Sequence, residues 1–270
     1  MQFNRENIKI DDPFKWLEDK RAYVEETFGQ AIDFAGRKLY ADFSGLRVNI
    51  RASSVGDLRE WGIGGGADTY FASSIDLFVN PMNPNFNTPE LGLRLRNFAV
   101  HEAHHLVWIK RHGWHEDLAE DLLLEGMAAR FELELGVDSS HALTKPYFLS
   151  QFDECMCLTR LEEQAIHIIN DPDYDYTGAD YKDWFVGYKG CAEFPRCGGH
   201  FLGLALVTAL LKETGKTAVT AAEIPTQDAI QWWQDRFNKG FRLEMPDNPT
   251  RSQKKDRTSL RAETNILVLR

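Results

Sequence analysis

The chain has 270 residues, of which 43% are hydrophobic and 12% aromatic, and a formal net charge of -10 at pH 7. So much apolar material can form a substantial core, which excludes a wholly disordered chain, and the acidic balance argues against nucleic acid as a partner, because phosphates require a basic surface. No stretch approaches the roughly 20 apolar residues of a membrane-spanning helix, and the start lacks the layout of a secretory signal, so we expect a cytoplasmic protein without membrane contact.

The four cysteines fit this expectation best as reduced thiols. A second metal site is one alternative, but the C-x-C and C-x5-C spacings do not match a structural zinc pattern. The other alternative is an exported protein with a disulfide between Cys191 and Cys197. The cysteines are Cys155, Cys157, Cys191 and Cys197.

The N-terminal part combines helical and strand patterns. Apolar residues recur at mostly helical spacing over 12–39, which predicts a helix. Residues 46–53 alternate and include β-branched side chains, as is typical of a strand. A glycine-rich turn from residue 62 is expected to lead into a second strand, IDLFVN at 75–80, which Pro81 ends.

After residue 90 the pattern becomes mostly helical, without an internal repeat. We predict an α+β fold in one domain spanning 1–270, with an N-terminal α/β lobe (1–90), a helical lobe (91–245) and a tail (246–270). The predicted helices cover 90–111, 116–135, 151–169, 200–215 and 225–240, with a loop at 170–199.

The segment VHEAHHLVWI at 100–109 contains the motif H-E-x-x-H within one of these helices. On a helix, His101 and His105 share one face, roughly 5–6 Å apart at Cβ, so both imidazoles can bind one zinc ion. Glu102 projects about 100° around the axis from His101, where it can act as general base on a metal-bound water. His104 points away from this face, which predicts a surface or supporting position. An exposed His/Glu helix face is the simpler alternative.

A catalytic zinc ion also needs a third protein ligand and an open fourth position. The metzincin pattern fails because Arg111 stands where it requires a histidine, and His112 would lie about 10 Å along the helix from His105. The gluzincin pattern takes a glutamate from a second helix about twenty residues later, and Glu125 is the only acid in that window. Its neighbours are leucines, and a buried carboxylate is costly unless it is paired or bound to a metal. The pattern therefore predicts Zn2+ bound by His101, His105 and Glu125.

Three segments, AVHEAHHLVW, LLLEGMAARFELELG and FPRCGGHFLGLALVTALLKETGK, together resemble the predicted zinc-dependent proteases of domain of unknown function 2268. The resemblance covers roughly residues 90–235, with a weaker match over 62–81. It implies a gluzincin-type metallopeptidase that hydrolyses peptides or proteins, with the zinc ligands above and Glu102 as base. It also implies a zincin-like fold, in which the active helix lies between a small strand-bearing lobe and a mainly helical lobe.

This chain departs from the gluzincin pattern at the residue that supports a zinc-bound histidine. Thermolysin-like gluzincins carry an aspartate four residues after the third ligand, and that position here is Ala129. We expect Asp121, one helical turn before Glu125, to orient a histidine instead.

A second departure concerns the donor that stabilises the oxyanion. Many relatives carry a tyrosine where this chain has His200, and either side chain can donate the hydrogen bond. His200 is therefore predicted as the second catalytic residue, with a helix-capping role as the alternative. Tyr188 and Tyr181 are further candidates, although anchoring of a loop is the simpler role for both.

Other functions remain open at this stage. One is a zinc hydrolase of non-peptide amides, and another is a zinc-stabilised scaffold or binding protein without activity. Glu102 argues against the scaffold, because a structural site needs no base and is usually closed by a fourth protein ligand. If the substrate is a peptide, SSIDLFVN at 73–80 is a candidate for the edge strand that pairs with it, although an ordinary strand is the favoured interpretation.

Overall fold

The computed structural model describes residues 3–53, 62–68, 70–114, 117–135, 154–186 and 198–244. Tyr188, Cys191, Cys197 and the tail at 246–270 lie outside this part, as do the side chains of Cys155 and Cys157. The strands are β1 (Ile8–Asp11), β2 (Arg47–Ala52), β3 (Ile63–Ala67) and β4 (Ser74–Val79). The helices are α1 (Arg21–Leu39), α2 (Leu91–His112), α3 (Leu118–Glu134), α4 (Glu154–Asn170), α5 (Gly178–Tyr181), α6 (Gly198–Thr214), α7 (Ala218–Ala221) and α8 (Thr226–Asn238), with a π-helical turn at Lys182–Val186.

The strands form one mixed sheet in the order β1-β2-β4-β3. β1, β2 and β4 are parallel, and β3 runs antiparallel to β4 at the edge. Alternate residues of β2 and β4 are fully buried, so one face of the sheet joins the hydrophobic core. α1 and α2 pack against each other, and their apolar residues belong to the same core.

The helix predicted from residue 12 begins only at Arg21. Before it, the Asp12 carboxylate accepts hydrogen bonds from the backbone N–H groups of Trp16 and Leu17. Lys15 in this turn adopts a left-handed conformation with φ 57°. These side-chain-to-backbone hydrogen bonds replace the first turns of the predicted helix, because short polar side chains compete with the helix for backbone N–H groups.

The glycine-rich stretch is a strand, although glycine is depleted in strands. Gly65 has φ 142°, and a Cβ atom there would lie 1.9 Å from the carbonyl oxygen of Asp76, so the close pairing of β3 with β4 requires glycine. The alternative that SSIDLFVN forms an edge strand is wrong, because β4 pairs on both sides; among the described strands, β1 and β3 are the edges of the sheet.

The main helices occur where the periodicity predicts them, within a few residues. With the small mixed sheet, they confirm an α+β fold. α3 packs against α2 on one side and α6 on the other, which places three helices around the predicted zinc ligands. Within the described residues, no helix combines the length and hydropathy that crossing a membrane requires.

Candidate metal centre

The glutamate on α3 contacts both histidines of the motif on α2. Oε2 of Glu125 lies 3.0 Å from Nε2 of His101, and Oε1 lies 3.5 Å from Nε2 of His105. All three side chains are buried. The structure therefore brings together three donors from two helices that follow each other in the chain.

These contacts govern the protonation of the cluster. Burial would raise the pKa of Glu125, but the neighbouring His200, His105 and His101 hold it well below its usual range. Burial would likewise lower the pKa of His101, yet hydrogen bonds to Glu125 and Glu132 raise it well above its usual range. The carboxylate at 125 is thus ionised and surrounded by groups that favour negative charge.

Glu102 lies on α2, but its carboxylate is held by the edge strand β3. Its Oε2 accepts a hydrogen bond of 2.8 Å from the backbone N–H of Ala67, the last residue of β3. Burial raises the pKa of Glu102, and the two histidines partly oppose that effect. One ligand atom each of His101, Glu102 and His105 lies within 4.8 Å of the others, so the carboxylate remains beside the imidazoles.

The carboxylate that orients His101 is one that sequence reasoning missed. Nδ1 of His101 lies 2.7 Å from Oε1 of Glu132, which is 1% exposed. Glu132 follows Glu125 by two helical turns on α3 and so occupies nearly the same face. A signal was present in the sequence, because FELELG places an acid in an apolar context at that spacing.

Asp121 lies near the cluster but contacts a different partner. Its Oδ2 accepts a hydrogen bond of 2.6 Å from the hydroxyl of Tyr176, and its Oδ1 has no hydrogen-bond partner among the described residues. Burial raises the pKa of Asp121 to about 7. Since neither oxygen is hydrogen-bonded to a histidine, the orienting role predicted for it stays a prediction, and Glu132 occupies that role geometrically.

His200, at the start of α6, reaches the same glutamate from a third helix. Its Nε2 lies 3.2 Å from Oε2 of Glu125. The hydroxyl of Tyr181 lies 3.5 Å from Oε1 of the same carboxylate. The two predicted oxyanion donors within the described part of the chain therefore converge on the third predicted ligand.

The remaining histidines of α2 do not join the cluster. His104 is buried against the ring of Phe131, with the centroids 5.3 Å apart, so of the two predicted positions, surface or supporting, the surface one was wrong. Burial lowers the pKa of His104 to about 3, which keeps it neutral. His112 bonds through Nε2 to the carbonyl oxygen of Ala222 at 2.7 Å and is absent from the cluster, as its spacing predicts.

A family model described as predicted Zn-dependent protease (DUF2268) matches residues 57–231. The chain belongs to this DUF2268 family. The matched range contains β3, the residues of the candidate metal centre, and the helices α2, α3 and α6. No curated protein and no solved structure matches the chain.

The residues of this DUF2268 protein fit a zinc ion. Two imidazoles and one carboxylate are the donor set of many catalytic zinc sites, and nitrogen with oxygen ligands suits zinc among divalent metals. Glu132 supplies the carboxylate that zinc-bound histidines usually have on their other ring nitrogen. The ionised Glu125, buried among imidazoles, is a further sign that this interior accommodates a cation.

The two most specific DUF2268-like segments also meet in the fold. A Cβ atom on Gly126 would lie 2.2 Å from the carbonyl oxygen of Gly203, and one on Gly203 would lie 2.3 Å from that of Leu122. α3 and α6 therefore cross with their backbones in contact, which is possible only without side chains at these positions. This crossing brings His200 to Glu125, the residue directly before Gly126.

Proposed function

We propose that this chain is a zinc-dependent metallopeptidase of the gluzincin type, with Glu102 as its general base. The observation that carries the proposal is that the two glutamates of the site make different contacts. Glu125 contacts both histidines, whereas Glu102 is held beside them by the backbone of Ala67. A site that serves only to bind metal has no need for this second carboxylate.

His101, His105 and Glu125 would hold the zinc ion, which when bound supplies a Lewis acid and lowers the pKa of a bound water to about 7. Glu102 accepts a proton from the attacking water and returns it to the leaving amine. The Ala67 N–H occupies one oxygen of Glu102 and fixes the direction of the other. His200 donates a hydrogen bond to the developing oxyanion, and Tyr181 is placed to assist from the other side.

The free edge of β3 favours an extended peptide as substrate. Backbone bonds from Asp68 to Ser74 and from Asn80 to Gly62 show that the even-numbered residues of β3 face β4. Backbone groups of the odd-numbered residues therefore face the open edge. One of these, the Ala67 N–H, binds Glu102, and Gly65 stands next along the edge toward solvent. A peptide that pairs there would lie directly beside the general base.

Two alternatives to a peptidase are supported by features of the same site. A hydrolase of non-peptide amides would use the same residues, because the bond that is broken is the same. A zinc-stabilised scaffold would require a fourth protein ligand, and His200 lies close enough to Glu125 to be considered. A cytoplasmic location and a peptide or protein substrate, without nucleic acid or membrane, belong to the same proposal.

The decisive experiment combines metal analysis with cleavage of a peptide library. Purified protein is expected to contain about one zinc per chain and to cleave peptides until a chelator removes the metal. Glu102→Gln is expected to keep the zinc and lose cleavage by a factor of at least about 10²–10⁴. Cleavage of small amides but not of peptides would favour the amidohydrolase, and unchanged turnover in Glu102→Gln would remove this residue as the base.

A further inference from the structure

We propose that Phe185 is a positioning residue that orients both donors of the site, Tyr181 and His200. Its ring is buried at 1% exposure in the π-helical turn that follows α5. The proposal rests on the proposed function, since it assigns a task to a residue that is neither a predicted ligand nor the general base.

The ring of Phe185 contacts the two donors in different geometries. It stacks on the ring of Tyr181 with the centroids 4.9 Å apart and the planes at 22° to each other. It meets the imidazole of His200 edge to face, with the centroids 5.4 Å apart and the planes at 74°. Both are favourable arrangements for aromatic pairs, and each restricts the rotation of the partner ring.

The oriented donors reach different oxygens of one carboxylate. Tyr181 lies beside Oε1 of Glu125 and His200 beside Oε2. A single ring thus sets the directions of two polar groups on two separate elements, α5 and α6. Donors that are fixed before the reaction need no reorganisation when charge develops, which is the basis of electrostatic catalysis.

Gly199 keeps the ring in this position. A Cβ atom at Gly199 would lie 2.5 Å from Cε1 and 2.7 Å from both Cδ1 and Cζ of Phe185. The ring therefore lies against the bare backbone of the first turn of α6, directly before His200. A side chain at 199 would displace the ring from one side, and truncation of Phe185 would remove it.

The first test is a nuclear magnetic resonance comparison of the metal-free full-length protein. The 13C-labelled imidazole of His200, assigned with His200→Gln, should show an Overhauser contact with the ring of Phe185. Its ring signals should move in Phe185→Leu and in Gly199→Ala. They should stay in Phe28→Leu, which truncates an equally buried ring that packs against Phe98 of α2. Absence of the contact in wild-type protein, or an equal change in the control, would overturn the proposal.

The second test separates positioning from general stability by kinetics. We expect Phe185→Leu to keep one zinc per chain and a KM within about twofold, while kcat for a library-derived peptide falls about 10- to 100-fold. In the Tyr181→Phe/His200→Gln background the same substitution should change kcat less than about twofold, because the groups it orients are gone. An equal loss in both backgrounds would show a merely structural role. If wild-type protein cleaves no peptide, the proposed function fails, and the resonance comparison still decides whether Phe185 orients His200.

Discussion

The imidazole of His101 is held between two carboxylates of α3. Its Nδ1 lies 2.7 Å from Glu132 and its Nε2 3.0 Å from Glu125. Both ring nitrogens thereby face a carboxylate acceptor, so each can donate a proton to its partner and the plane of the ring is set before any metal binds. Zinc binding would require Nε2 to lose its proton, while Nδ1–H would remain hydrogen-bonded to Glu132 and hold the ring in place.

Glu132→Gln should therefore weaken zinc binding without removing a ligand. Loss of a carboxylate behind a zinc-bound histidine typically lowers metal affinity about 10- to 100-fold. Chelator competition measures the dissociation constant, and Glu163→Gln on the exposed surface of α4 controls for the loss of one negative charge. Equal zinc affinities in Glu132→Gln and Glu163→Gln would show that Glu132 does not support zinc binding by His101.

Glu125→Ala should have the larger effect on metal content. It removes a predicted ligand, and two histidines alone bind zinc poorly. We expect elemental analysis after dialysis to find well below one zinc per chain, whereas Glu163→Ala retains full occupancy. Full zinc content in Glu125→Ala would require another residue as third ligand.

Helical periodicity in the sequence predicts that Glu125 approaches His101 and His105, but it does not predict the carboxylate on the other nitrogen of His101. H-E-x-x-H and the glutamate about twenty residues later can be recognised from spacing alone. The role of Glu132 could not be recognised in this way: its apolar context marks a buried acid, but the expected supporting position holds Ala129, and the glutamate three residues later takes its place. The turn of a helix and the reach of a side chain are local properties, whereas the choice between two acids depends on how α2 and α3 pack.

Contacts between distant segments explain the other differences. β3 was predicted as a turn because glycine is a poor strand former, and only its pairing with β4 makes it a strand. The hydrogen bond between Glu102 and Ala67 depends on the position of β3, and no local sequence pattern predicts that position. The approach of His200 to Glu125 depends similarly on the crossing of α3 and α6 at Gly126 and Gly203.

Gly203→Ala should force these two helices apart. The added Cβ would lie 2.3 Å from the carbonyl oxygen of Leu122, which is backbone and cannot rotate away. Overpacking of this kind typically costs about 1–3 kcal/mol in the free energy of unfolding, which denaturant titration measures. Gly45→Ala is the matched control, because nothing lies within 4 Å of its Cβ position. A stability equal to that of the control would contradict close backbone contact at this crossing.

Asp121 should make the stability of the metal-free protein depend on pH. Burial raises its pKa to about 7 against the hydrogen bond from Tyr176, and the nearby acids Glu125, Asp117 and Glu120 add to the rise. An unfolded aspartate loses its proton near pH 4. Between about pH 4 and 7 the folded state holds a proton that the unfolded state has lost, so the free energy of unfolding falls as pH rises through that interval.

Asp121→Asn removes this contribution. The free energy of unfolding of the variant relative to wild type should therefore increase from pH 4 to about 7, by at most about 4 kcal/mol, and stay level above that. Urea titrations of metal-free protein at several pH values measure the difference, with Asp173→Asn in an exposed loop as the control. Parallel pH profiles for Asp121→Asn and wild type would show that this carboxyl is ionised in the folded protein.

His200→Gln distinguishes an oxyanion donor from a fourth metal ligand. The Nε2 atom lies 3.2 Å from Oε2 of Glu125, which is compatible with either role. If His200 is the donor, the variant keeps its zinc affinity and kcat falls about 10²- to 10³-fold, the usual effect of removing one such group. If it is a ligand, the zinc dissociation constant rises sharply and the site is closed as in a structural centre. Zinc affinity and peptide turnover measured on the same preparation, with His167→Gln on α4 as the control, therefore separate the peptidase from the scaffold.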